Sequence, residues 1–292
     1  MNASLALVAL STGGFAREGL DVTVRWHDFG KLALADVLDG RADIAVTSEA
    51  PVVFATLRGE RPVFLATISS STRSTRLLAR ADEVSGPADL AGKRVGVPFD
   101  TSGRFFVTML LARHGLDPSR VQLVDLLPQQ FGDALAHHDV DAVVAWHPRT
   151  LEFERRFPGE LVSLHADSDY WTMAGVVATS DRAKARPEVM KKVIRALVGA
   201  EVVVRDRPGE AKRVVSEAIG VPPADLEAVW GDYRFRVGLD QSLLVLMDAE
   251  ARWAVRSESS RSGQKPDFFE AIAPEPLLAV RPEADRMIGL AR

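Results

Sequence analysis

The sequence predicts an α/β architecture of two similar lobes, on three observations. Apolar strands alternate with amphipathic helices over the first two thirds of the chain, as βαβ units do. A set of short stretches recurs in the same order at an offset close to 97 residues. The last third turns helical, in segments long enough to close the lobes off. "GRADIAVTSEAP", Gly40 to Pro51, is matched by "HDVDAVVAWHP", His138 to Pro148, and "EGLDV", Glu18 to Val22, by "HGLDP", His114 to Pro118. Asp43 thus answers to Asp141, Asn2 to Asp100 and Ser4 to Ser102. Strand and helix patterning alone could produce one such pair; the shared order of all of them points to a structural duplication.

Each element has a local justification. "NASLALVAL" reads as an apolar helix, and no basic segment precedes it as one would in a secretory leader. The repeat sets Met1 opposite Phe99, so the strand "GKRVGVPF", Gly92 to Phe99, has no counterpart ahead of Asn2. The sequence therefore predicts that lobe one lacks its first strand, together with any export signal before it. "LDVTVRW" alternates apolar and polar residues like a half-buried strand. "LALADVLDG" has helical spacing and stops at Gly40, a residue suited to the left-handed position past a helix end. "ADIAVTS" is nearly all apolar, as a strand covered on both faces is. "APVVFATLRGE" is a helix with proline near its first turn, where a missing N–H costs nothing. "PVFLATI" and "TRLLAR" are strands. After the turn-rich "SGPADLAGK", the second copy runs through "RVGVPF", a helix from about Gly103, "VQLVDL", the helix "FGDALAHH" and "DAVVAW". It returns through "ELVSL" and "MAGVVATS". The helices "RPEVMKKVIRALVGAEVVVRDRP", "GEAKRVVSEAIG", "PPADLEAVWGDY" and "DQSLLVLMDAEARWAVRS" follow, with "SESSRSGQKP" as a loop.

Composition narrows the function classes. The 292 residues are 47% hydrophobic and 26% charged with a formal net charge of -4, ordinary for a globular chain of one or two domains. No apolar run reaches the length of a membrane span. Lys and Arg are scattered, whereas a nucleic-acid surface gathers them into a stripe that neutralises phosphates. Cysteine is absent, which removes disulfides, thiolate zinc sites and cysteine nucleophiles together and leaves the compartment open.

In open α/β sheets, ligands gather at the carboxyl ends of strands, where helix N-termini point N–H groups outward. The repeat writes a polar strand-to-helix turn in each copy. In "PFDTSGRFF", Thr101 and Ser102 are helix-capping types, and the same hydroxyls with the N–H groups from Gly103 onward suit an oxyanion. The two roles are compatible. "VTSEAP" offers Thr47, Ser48 and Glu49 at the matching place; a Glu49 carboxylate facing solvent would favour a ligand with an amino or ring N–H group over a bare anion. Trp146, in "AWHP", serves either packing or ligand contact. "HADSDYW" sets His165, Asp167 and Asp169 in alternation; a surface loop is the stronger reading than a metal site. No HExxH, G-x-S-x-G, P-loop or dinucleotide fingerprint occurs, so no cofactor is expected.

The stretches "GGFAREGLDVTV", "LDGRADIAVTSEAP", "DLAGKRVGVPFDTSGRFF", "LLARHGLDPSRVQLVDLLP", "DVDAVVAWHP" and the final "KPDFFEAIAPEPLLAVRPEADRMI" resemble the solute-binding proteins of nitrate/sulfonate/taurine-type ABC importers. The resemblance implies a two-lobed type II periplasmic-binding fold with a central cleft and C-terminal helices. Lobe one would be residues 1–77 and 176–292, lobe two residues 78–175, and the hinge strands Thr75 to Arg80 and Gly175 to Thr179. It implies capture of a small polar solute, delivery to a membrane permease, an extracytoplasmic location and a monomer. A sulfonate, taurine or nitrate-like anion is favoured over a pyrimidine-like heterocycle. Carried over by position, the ligand-binding residues are Thr12, Ser48, Glu49, Thr101, Ser102, Gly103, Trp146, Tyr170 and Trp171. The alternatives on the same fold are a biosynthetic or carbon–sulfur-cleaving enzyme and a sensory ligand-binding domain.

Overall fold

The computed structural model describes residues 1–165, 170–256 and 266–287. Asp167, Asp169 and nearly all of "SESSRSGQKP" lie outside the described residues. The chain divides into two compact units: unit 1 takes Met1–Ser70, Met173–Pro223 and the residues from Arg234 on, and unit 2 takes Ser71–Thr172 and Ala224–Tyr233. The expected boundaries thus move by several residues. A further segment, Ala224–Tyr233, belongs with unit 2 although the sequence reading placed it in lobe one.

Unit 1 begins with α1 (Ser4–Ser11) and the single turn α2 (Gly14–Arg17), separated by Gly13 at φ +70°. Residues 21–28 belong to no helix or strand and are exposed along their whole length, with Trp26 61% exposed. This corrects the expected strand "LDVTVRW": alternation supplies a strand's side chains, but a strand also needs a neighbour for its N–H and C=O groups, and neither sheet has one beside it. Then come α3 (Gly30–Leu38), β1 (Ala45–Ser48), α4 (Glu49–Leu57) and β2 (Pro62–Ser71). Gly30 is required where it stands, since a Cβ there would come within 2.8 Å of the Cα of Thr47.

Unit 2 runs through β3 (Thr75–Arg80), β4 (Arg94–Val97), α5 (Ser102–Arg113), β5 (Gln122–Asp125), α6 (Phe131–Ala136), β6 (Ala142–Trp146), α7 (Arg149–Arg156) and β7 (Leu161–Leu164). Its sheet has the order β5-β4-β6-β3-β7, with β4 parallel to both flanking strands and β3 antiparallel to β6 and β7. Leu78, Phe131, Leu135, Val143 and Phe153 form its buried cluster. Each such side chain contributes roughly 1.5–3 kcal/mol by leaving water.

Returning to unit 1, the chain forms β8 (Thr172–Thr179), α8 (Ser180–Ala185), α9 (Pro187–Asp206) and α10 (Pro208–Ile219). Then α11 (Pro223–Trp230) passes into unit 2, and β9 (Arg234–Asp240), α12 (Gln241–Arg256), α13 (Glu275–Val280) and β10 (Asp285–Arg286) complete unit 1. The sheet order of unit 1 is β1-β8-β2-β9-β10, with β1 antiparallel to β8. Thr75–Arg80, expected as a hinge strand, is an interior strand of the unit 2 sheet, and Gly175–Thr179 lies inside β8 of unit 1. The sequence reading also passed over β9, although Phe235, Val237 and Leu239 alternate there with Arg234, Arg236 and Asp240.

Candidate functional site

The turn between β4 and α5 is the most developed polar feature of unit 2. Asp100 takes a left-handed conformation, φ +56°, which aspartate tolerates better than most residues, and the chain then enters α5 at Thr101. Thr101 stands at the N-cap yet does not cap the helix: its hydroxyl donates instead to the carbonyl of Pro98 at 2.6 Å. Among the described residues, the N–H groups of Ser102 and Gly103 therefore have no protein acceptor. They carry the partial positive charge of the helix end. Arg104 follows in the same turn, its guanidinium 4.5 Å from the centre of the Phe99 ring, and partial burial lowers its pKa. Gly103 is there for space, because a Cβ would come within 3.1 Å of Val97 and 3.2 Å of Val144.

Tyr170 reaches the same turn. Its hydroxyl donates to the carbonyl of Ser102 at 2.9 Å, and its ring packs edge-on against Phe106 with centroids 5.2 Å apart. Tyr170 is almost fully buried and so holds the turn, whereas its neighbour Trp171 is 44% exposed. Trp146 ends β6 opposite Thr75 of β3 and is half-buried. The structure thus brings Thr101, Ser102, Gly103 and Tyr170 together around one helix start.

In unit 1, Ser48 is the N-cap of α4 and is half-buried, without a side-chain cap bond. Thr12 closes α1, with its hydroxyl donating to the carbonyl of Val8 at 2.7 Å. Glu49 departs from expectation. It has no exposed surface, one of its oxygens accepts the N–H of Met173 at 2.8 Å, and its carboxyl lies against that of Glu250 on α12. Burial pushes Glu49 up to about 7, and burial with the facing Glu49 pushes Glu250 well above the carboxylate range. Two ionised carboxylates cannot both stay in such a place, so the pair retains a proton near neutrality. Glu49 is a fold element joining α4, β8 and α12, not a solvent-facing ligand group.

A second cluster in unit 2 escaped the sequence reading. His147 Nδ1 lies 2.5 Å from Thr150 Oγ1 and Nε2 lies 3.2 Å from Asp232 Oδ2, an order of groups that resembles a nucleophile relay. Thr150 is fully buried and His147 is 1% exposed, so no substrate reaches the hydroxyl. Burial and the nearby Arg76 hold His147 down at about 4, leaving it neutral at pH 7. The cluster fastens Asp232 to the start of α7. Only the fold could reveal this, since Asp232 is 85 residues from His147 in sequence. Among the described residues, no group of three His, Asp or Glu is placed to hold a metal ion.

Two five-stranded sheets in these orders, each carrying helices, make the periplasmic-binding-protein fold. Compared with solved structures, the chain matches the alkanesulfonate-binding protein SsuA of Xanthomonas axonopodis pv. citri bound to MOPS, with a TM-score of 0.81 at 19% identity over 94% of this chain and 95% of that one. It also matches the desulfurization enzyme DSZB in complex with biphenyl-2-sulfinic acid, with a TM-score of 0.70 at 17% identity over 97% of this chain and 96% of that one. In sequence it is 26% identical to the taurine-binding periplasmic protein of Escherichia coli (strain K12) over 68% of this chain and 63% of that protein. The family signature described as NMT1/THI5 like covers residues 1–211, and the chain belongs to that family.

Proposed function

We propose that the protein is a solute-binding component of an ABC importer that captures a small organic sulfonate, with the sulfonate oxygens held at the start of α5. The observation that carries this reading is the uncapped first turn of α5. Thr101 points its hydroxyl back to Pro98, which leaves the Ser102 and Gly103 N–H groups for a ligand, with Arg104 one residue further on. A tetrahedral oxyanion matches several convergent donors, and the helix end favours its charge. Burial of Glu49 supports the anion over the heterocycle, because the carboxylate that would have recognised a ring N–H is enclosed. The taurine- and alkanesulfonate-binding proteins above agree in ligand class, and a periplasmic location with delivery to a permease follows the same relatives.

The test is a thermal-shift and calorimetry panel of taurine, longer alkanesulfonates, MOPS, nitrate and a hydroxymethylpyrimidine. A sulfonate at 100 times its Kd should add about 2.7 kcal/mol of stability, and Arg104→Gln should weaken its binding at least tenfold. Stabilisation by the pyrimidine alone would overturn the sulfonate assignment. Release of sulfite from a bound sulfonate, read by ion chromatography, would replace a carrier with an enzyme.

A further inference from the structure

The sheet of unit 2 has a face turned away from α5. Gly103 of α5 packs against Val97 and Val144, so Val144 and its cross-strand neighbour Leu77 look towards that helix. The alternate residues of β3, Arg76, Leu78 and Arg80, therefore look the other way, where Leu78 joins Phe131, Val143 and Phe153 in the buried cluster. Arg80 settles its charge there: its guanidinium donates to Asp82 at 2.8 Å and to the carbonyl of Leu135 at 3.4 Å. Arg76 does not. It is partly buried, its Nε is enclosed, and among the described residues it has neither a hydrogen-bond acceptor nor a carboxylate partner.

A second enclosed donor stands beside it. Ser163 of β7 pairs with Leu78, so its side chain shares the face of Arg76, one diagonal step away. Its Oγ is enclosed and likewise without a partner among the described residues. The charges around His147 do not cancel. Arg76, Arg73 and Asp232 all act on that imidazole, and Asp232 is taken up by His147 Nε2 at 3.2 Å and by Arg73 Nε at 3.6 Å. Two guanidiniums thus stand against one carboxylate. Burial first and Arg76 next hold His147 down at about 4, so the Arg76 charge is close enough to be felt. Arginine keeps its proton, and a guanidinium desolvated beside apolar side chains is costly until an acceptor meets it.

We infer that this face of unit 2 binds a small monovalent anion of the halide class, bridged by Arg76 Nε and Ser163 Oγ between β3 and β7. Both groups donate and neither has a competing acceptor, which is what an anion requires. A halide fits better than a doubly charged oxyanion, whose dehydration costs far more at enclosed donors. β7 is the edge strand of its sheet and Arg76 keeps some contact with water, so a turn of its side chain admits the ion. The bound ion ties the edge strand to β3 through side chains. It lies across the sheet from the α5 turn, so its binding stands apart from whichever solute that turn holds.

The full chain in sodium bromide is compared with the same chain in sodium gluconate at equal ionic strength. Bromide should raise Tm by about 3 °C, with half of the effect reached on the order of 10 mM, and crystals grown in it should show an anomalous peak between Arg76 Nε and Ser163 Oγ. It should also move the His147 pKa, followed by NMR, upward from about 4, because it offsets the repulsion from Arg76. Ser163→Ala should weaken the bromide response about tenfold. In Arg76→Met the His147 pKa should start higher and stop responding to bromide. A missing anomalous peak overturns the proposal, and so does a peak with the same Tm in both salts, which marks an adventitious ion only. A bromide response that survives Arg76→Met overturns it too; where that variant does not fold, an undiminished response in Ser163→Ala does so alone.

Discussion

Single side chains carry two consequences that can be measured separately. Glu49 and Glu250 hold a proton that an unfolded chain would release near the ordinary carboxyl value of 4.5. The folded chain therefore binds more protons than the unfolded one between about pH 4.5 and 7, and stability falls as pH rises through that window and beyond. The loss between pH 5 and 8 should be on the order of 3 kcal/mol. Denaturation across that range should show the slope in the native chain and a flatter one in Glu250→Gln, whose amide can donate to Glu49; an unchanged slope would remove the pair as its source. At α5, Tyr170→Phe deletes one hydrogen bond to the Ser102 carbonyl while keeping the ring against Phe106. It should cost about 1 kcal/mol in urea denaturation and weaken sulfonate binding by loosening the turn. Of the residues the sequence nominated, Thr101 and Ser102 were legible as a helix start, because polar capping types ahead of an apolar helix are a local pattern. Glu49 was misread because a carboxylate in a turn looks the same in sequence whether it faces water or a second carboxylate, and Glu250 lies 201 residues away.

Elements differ in how much freedom their glycines leave. In β8, a Cβ on Gly175 would sit 2.3 Å from the carbonyl oxygen of Ala66 and 2.8 Å from the Phe64 ring, against backbone that cannot give way. Gly175→Ala should destabilise by roughly 3 kcal/mol or prevent folding, read as a large fall in Tm. In α6, a Cβ on Gly132 would clash with the far end of the flexible Arg156 side chain and otherwise reach the Phe153 ring at an ordinary 3.4 Å. That side chain can swing away at the cost of its surface pair with Asp133, and Gly132→Ala should be neutral or gain up to about 1 kcal/mol from helix propensity. The helices from α9 to α12 and the strands β2 to β8 follow periodicities readable in sequence, since each repeats its own burial. β9 was equally readable in its alternation, whereas the segment 21–27 alternates just as well and forms no strand. Alternation reports which faces could be buried; pairing depends on a neighbour elsewhere in the chain.

At the scale of the molecule, the chain enters unit 2 after Ser70 and leaves it after Thr172, then returns for Ala224–Tyr233. Asp232 and Tyr233 of that returning segment reach His147, the former at 3.2 Å and the latter through the His147 carbonyl at 3.5 Å. A fragment of residues 71–172 alone should therefore expose the imidazole; relief of burial, the largest cause, should lift its pKa from about 4, while loss of the Asp232 carboxylate keeps it short of the ordinary value of 6.5, as followed by NMR. A titration identical to that of the full chain would show that the returning segment does not shield it. The sequence by itself determined the α/β class, the order of nearly all elements and the repeated strand-to-helix turn. These follow from periodicity, capping chemistry and internal similarity, all of which are local or compare one stretch with another. Only the tertiary structure decided that Glu49 turns inward to Glu250, that His147 meets Asp232, and that residues 21–27 join neither sheet among the described residues. Burial and pairing are properties of groups brought together from distant parts of the chain, and no local pattern carries them.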